Sequence, residues 1–247
     1  MSTELQEAFL SYGIAVDQLV NASDSEVLEV FARLNSYNVT LNAAELRHAR
    51  FSGDFKWAVH EAAGRWDVLW TRFEIISKRQ RLRMLDDSLM AEMFGVLLHG
   101  VTSGDQQAIT RLYQEHDPAF PEEQKISKQL DQTLEFITEN LSDVIAGPMA
   151  SPPHFLLIFA SVGHALIGLP PGQMGDRMPV RNKEVLSDLD MARSNLSRLG
   201  AAIENRETEG PLGRFVLAFL ANAHRMASRE VRFPMFYAAL LPRQIGS

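Results

Sequence analysis

The sequence predicts an all-α protein, mainly helical, of about nine to ten helices, with at most one short β-strand near the N-terminus. Three observations predict it. From Ser23 onward, apolar residues recur at i, i+3, i+4 and i+7, the period of a helix with one buried face. Side chains suited to helix N-caps, such as Ser23, Asn42 and Ser52, stand just ahead of those runs. Alternation of period two occurs convincingly in one place alone, "FLSYGIAVDQLV" at 9–20.

In that stretch Leu10, Tyr12, Ile14 and Val16 share one face, with Ser11, Gly13, Ala15 and Asp17 opposite. A lone strand leaves backbone N–H and C=O groups unpaired and so implies a partner. An irregular extended lead-in is the competing reading. Ser23 or Asp24 then caps a helix with Val27, Val30, Phe31 and Leu34 at core spacing. Asn42, with Glu45 three residues on, makes a capping-box start for "AAELRHAR". Ser52 or Asp54 opens the next helix, and others are expected near 66–83, 86–100, 105–115 and 123–146. In the last of these Leu130, Leu134, Ile137, Leu141 and Val144 form an apolar stripe, while Asp131, Glu135 and Glu139 line a solvated face.

The most apolar run, Phe155 to Leu169, is about 15 residues long, short of the ~20 that cross a bilayer. It reads as a buried central helix with His164 as a satisfied core histidine. "PPGQMGDRMP" at 170–179 reads as an exposed loop and a subdomain boundary. A helix over 182–206 places Val185, Leu189, Ala192, Leu196, Leu199 and Ile203 on one seam suited to antiparallel bundle packing. Helices at 211–230 and 234–241 close the chain, with Pro234 in the first turn of the second. The expected organisation is a lead-in over 1–22, a helical domain over 23–170, and a C-terminal helical segment, 171–247, packed on that domain.

Composition bounds the chemistry. Of the 247 residues, 46% are hydrophobic and 22% charged, the balance of a globular chain rather than a disordered one. A net charge of −7 gives no global attraction to nucleic acid, so a basic contact must come from a local patch. With no cysteine, disulfides, thiolate chemistry and Cys-ligated zinc or iron–sulfur sites are excluded. "MSTELQEAFL" lacks the basic start and apolar stretch of a signal peptide, so a cytoplasmic location without membrane contact is expected. There is no G-x-x-x-x-G-K-[ST] cradle, no H-E-x-x-H, no histidine pair at i, i+4 and no G-x-S-x-G elbow. No metal site and no cofactor are expected.

Two basic clusters remain as nucleic-acid-binding candidates. Lys78, Arg79, Arg81 and Arg83 lie within one and a half turns, a density that can hold phosphates. Asp86 and Asp87 follow directly and offer internal partners instead. Arg225, Arg229 and Arg232 fall at i, i+4, i+7 on one helix face, suited to nucleic acid or to an acidic neighbour helix.

The segment "EVFARLNSYNVTLNAAELRHARFSGDF" resembles a signature of the GmrSD family of modification-dependent restriction endonucleases. There a ParB-like N-terminal domain precedes a helical region that opens with a pattern like [IV]-F-x-R-[LI]-N-x-x-G-x-x-L-x-x-x-E-L-R-[NH]-A. Val30, Phe31, Arg33, Leu34, Asn35, Leu41, Glu45, Leu46, Arg47, His48 and Ala49 match it. "RLRMLDDSLMAEMFGVLLHG" resembles a second helix of that family, R-x-x-D-x-E-L-x-x-x-F-L, with Ser88 at the usual acidic position. Detailed resemblance covers about residues 9–100. The chain departs from the pattern with Asn38 for a usual Gly and Thr40 for a frequent Pro. It also lacks the D-G-Q-Q-R motif of the ParB-like domain and the C-terminal His/Asn nuclease motif.

The resemblance implies the helical half of such a protein, with the 9–20 strand left from a missing ParB-like sheet. It implies a non-catalytic helical module of a restriction or phage-defence system that binds DNA or a partner chain. A second reading is a subunit of a split nucleotide-dependent nuclease, in which a separate ParB-like chain, or a second copy, pairs with the N-terminal strand. On that reading Arg33, Asn35 and Arg47 complete a nucleotide or phosphate site; the competing reading has Asn35 capping its turn and Arg33 paired with an acid such as Glu45. A third is a truncated fragment without independent activity.

Overall fold

In a computed structural model of the chain, the structure describes residues 9–13, 20, 22–23, 26–27, 29–30, 40–147 and 149–246. Contacts divide the chain into two units, Met1–Leu41 and Asn42–Ser247.

In the first unit, Phe9 and Leu10 are helical, and the Tyr12 amide bonds the Phe9 carbonyl at 3.3 Å. A turn therefore stands where the alternation predicts the start of a strand. Residues 14–19, the rest of that stretch, lie outside the described residues, as do Phe31 and Leu34. Ser23 opens a helical turn: its amide and hydroxyl both donate to Glu26 Oε2 at 2.8 Å, and Val27 N bonds Ser23 O at 3.0 Å.

The second unit is all helical among its described residues. It runs α1 (Ala43–Arg50), α2 (Asp54–Arg65), α3 (Val68–Thr71), α4 (Lys78–Arg81), α5 (Leu85–His99), α6 (Gln106–His116), α7 (Glu123–Asn140), α8 (Ser142–Ile145), α9 (Pro152–Leu166), a 3-10 segment (Gly172–Arg177), α10 (Leu189–Glu204), α11 (Gly213–Asn222) and α12 (Met226–Ala239). No strand occurs among the described residues, and none of their helices is long and apolar enough to cross a membrane.

Two interior helices organise the rest. In α9 every side chain from His154 to His164 is buried. In α5 burial runs from Leu89 through Leu97 with Glu92 as its polar interruption. α5 packs on α2, α6, α7 and α9; α9 packs on α5, α7 and α12; α10 and α11 pack on α12. One core therefore includes helices on both sides of the 170–179 segment. Each Leu, Ile or Phe sealed there contributes ~1.5–3 kcal/mol by leaving water. The stripe Leu130, Leu134, Ile137, Leu141 and Val144 is wholly inside, and Glu135 and Glu139 are exposed opposite it.

Four predicted elements differ. The helix expected over 66–83 is two short helices, because Phe73, Ile75 and Ile76 turn into the core and Ser77 caps α4 anew. α7 stops at Asn140, and α8 carries the stripe on after a break at Leu141. The helix expected from 182 starts at Leu189, where the Asp188 carboxylate accepts from Met191 N at 2.9 Å. The final break comes at Ala223–Arg225 rather than at Arg232, so Pro234 lies inside α12. At Ser52–Asp54 neither predicted cap acts. Asp117 Oδ1 accepts from Ser52 N at 3.2 Å and Gly53 N at 2.9 Å, and a Cβ on Gly53 would sit 1.6 Å from Asp117 O, so only glycine fits.

Candidate functional site

α1 begins in a capping box. Asn42 Oδ1 accepts from Ala44 N at 2.8 Å and Glu45 N at 3.0 Å, and Glu45 Oε2 accepts from Asn42 N at 2.7 Å. The spare amide of Asn42 donates to the Arg83 carbonyl at 2.8 Å. Arg83 lays its guanidinium on Glu45, Nε to Oε1 at 2.6 Å and Nη2 to Oε2 at 3.0 Å. Those bonds hold the Glu45 carboxyl below the usual range against a burial cost that acts the other way and is the larger single influence. Met84 then takes a left-handed backbone, φ 56°, and α5 starts.

One turn along α1, Arg47 is buried, 3% exposed. Its Nη2 donates to Ser88 Oγ at 2.5 Å and its Nη1 to Gln106 Oε1 at 2.9 Å, while its Nε has no partner among the described residues. Burial pushes its pKa down, opposed by the neighbouring Tyr113 and Glu92. Glu92 is itself engaged: Arg229 Nη2 donates to it at 2.5 Å and Arg229 Nη1 to the Thr102 carbonyl at 2.9 Å.

Asn42, Ser88, Glu92 and Gln106 line a cleft of about 550 Å³, together with Ala43, Leu89 and Pro153. That volume and its mixed lining suit a ligand group or the side chains of an inserted segment. Arg47 does not line the cleft; it positions Ser88 and Gln106, which do.

Of the other candidates, Arg33 and Asn35 lie outside the described residues. Lys78 and Arg79 are exposed and form no ion pair among the described residues. Arg81 is paired with Asp67 at 2.5 Å and with Asp86 at 3.5 Å, and Arg83 with Glu45. Among the described residues, the four-residue basic cluster thus presents two free cations. Arg225 is exposed at the start of α12. Arg229 and Arg232 are 1% and 0% exposed, so the face they share is a core face and neither can reach a phosphate backbone. Arg232 donates to the Ala223 and Pro153 carbonyls at 3.2 Å and lies over the Phe219 ring; burial lowers its pKa to about 9.

His164 is the satisfied core histidine expected. The Leu169 amide donates to its Nδ1 at 3.2 Å, which leaves Nε2–H to donate to the Pro179 carbonyl at 2.8 Å. Two groups among the described residues have donor spacing for a metal ion: His48, His60 and Asp87, and His99, Glu115 and His116. The sequence did not single out either, because each draws on separate helices or lacks the i, i+4 histidine pair. Glu92 and Gln106 were missed as well. A polar residue at a core position of α5 was the available signal for Glu92; for Gln106 there was none. No family model, curated protein or solved structure matches the chain.

Proposed function

We propose that the chain is a non-catalytic helical module of a GmrSD-like restriction or phage-defence system, and that it acts by binding a ParB-like partner chain at the α1–α5 cleft. The observation that carries the reading is convergence. Asn42, Glu45 and Arg47 from the first family-like segment bond to Arg83 and Ser88 from the second; Asn42 and Ser88 line the cleft, and Glu45, Arg47 and Arg83 tie the two segments together behind it. The division between units, at Leu41/Asn42, falls inside the first segment, which supports its role as a junction. The absent D-G-Q-Q-R and His/Asn motifs support a binding role rather than chemistry on this chain.

DNA is the weaker ligand on this geometry. Two paired arginines, two buried ones and a net charge of −7 leave Lys78, Arg79 and Arg225 as a small phosphate footprint. Fluorescence anisotropy of labelled duplex DNA tests this. The purified chain should show no salt-sensitive binding at ~0.15 M salt. Tight binding that weakens with salt and is lost in the Lys78→Ala/Arg79→Ala double variant would replace the partner-chain reading with a DNA-binding one.

A further inference from the structure

On the far side of the α1–α5 contact, the residues next to Arg47 and Ser88 face each other. His48 of α1, His60 of α2 and Asp87 of α5 bring one donor atom each to within 4.8 Å of one another. We propose that they form a binding site for one divalent transition-metal ion of the zinc, cobalt or nickel type, independent of the partner-chain reading.

The spacing fits. His60 Nδ1 stands 3.1 Å from Asp87 Oδ2 and 3.4 Å from Oδ1, and His48 Nδ1 stands 3.9 Å from Oδ2. With metal–ligand bonds of ~2.0–2.2 Å in a tetrahedron, donor atoms sit roughly 3.3–3.6 Å apart. Both measured edges are near that value, and the remaining one closes by a small side-chain rotation. The two rings meet edge to face, 5.6 Å between centroids, rather than stacking.

Donor types select the class of ion. Two imidazoles and one carboxylate suit zinc, cobalt, nickel or ferrous iron, whereas magnesium and calcium take oxygen donors. Asp87 is buried in the first turn of the interior helix α5. Among the described residues it has no Lys or Arg at ion-pair distance; its close partners are the two imidazoles. His48 and His60 keep 31% and 50% of their side-chain surface, so the remaining coordination positions open to water and the ion exchanges with solution. The facing cation, Lys56, rests on the Trp57 ring, 4.5 Å from its centroid. The second group is a weaker site: His99 and Glu115 are half exposed and 3.6 Å apart, with no buried anchor.

The test uses the untagged full chain, freed of metal and titrated with Co²⁺ while the visible d–d absorption is read, with Zn²⁺ stoichiometry taken by equilibrium dialysis. One equivalent should bind. His60→Ala removes a half-exposed side chain and should weaken binding at least ~10-fold while leaving the metal-free circular dichroism unchanged. Asp87→Asn should do the same, and His99→Ala should change neither readout. Absence of binding, a cobalt spectrum untouched by His60→Ala, or loss only in His99→Ala overturns the proposal.

Discussion

Arg229 and Glu92 meet at 2.5 Å with 2% and 15% of their side-chain surfaces exposed. Two charges taken from water must satisfy each other, and removing one strands the other. Arg229→Ala is therefore expected to destabilise the fold by ~3–5 kcal/mol, read as a lower urea midpoint at unchanged slope. His154 makes the opposite case. It is buried against Phe219, 4.5 Å between centroids, and neither ring nitrogen has a partner among the described residues. Burial, then the charge of Arg232, lowers its pKa from 6.5 to about 3. The unfolded histidine takes up its proton near pH 6.5 while the folded one stays neutral to about 3. Stability is thus full above that window and falls as pH drops through it, by up to ~1.4 kcal/mol per unit. His154→Phe should flatten urea midpoints between those pH values, and an unchanged slope would contradict the assignment. At this scale the sequence was partly legible. Arg229, Arg232, Phe233 and Phe236 share one i, i+3, i+4, i+7 face, and the two phenylalanines on it marked it as inward. Reading the arginines against each other alone hid that.

At the element scale, legibility followed distance along the chain. The capping box at Asn42 and Glu45 closes within four residues, and it formed as the sequence predicts. Asn42 does two jobs, since its amide also holds the Arg83 carbonyl. Asn42→Ala is expected to cost ~1–2 kcal/mol, more than Glu45→Ala costs through the box alone, as thermal unfolding would measure. Helix breaks were less legible. Between 66 and 83 the polar and apolar residues fit a helical period, yet Phe73, Ile75 and Ile76 seal into the core only when the chain leaves the helix. Pro234 suggested a helix start, but buried Phe233 and Phe236 on either side keep α12 continuous through it. The start of α2 depends on Asp117, more than sixty residues away, which no local pattern announces.

For the whole molecule, the helical class followed from periodicity, because α5 and α9 bury nearly all their surface and the outer helices bury one face each. The His48, His60 and Asp87 group was not legible, since its members lie on three helices and meet only through tertiary packing. The cleft was half legible. The family-like segments pointed to Arg47 and Arg83, but not to Arg47 acting from behind the wall or to Arg83 being neutralised by Glu45. The proposed role as a partner-binding module turns on that cleft. The direct measurement is sedimentation velocity of the full chain mixed with a ParB-like chain carrying the D-G-Q-Q-R motif. A stoichiometric complex that is lost when Ala43→Arg fills the cleft is the predicted result. Two species sedimenting independently, or a complex indifferent to Ala43→Arg, would contradict the role assigned to the cleft.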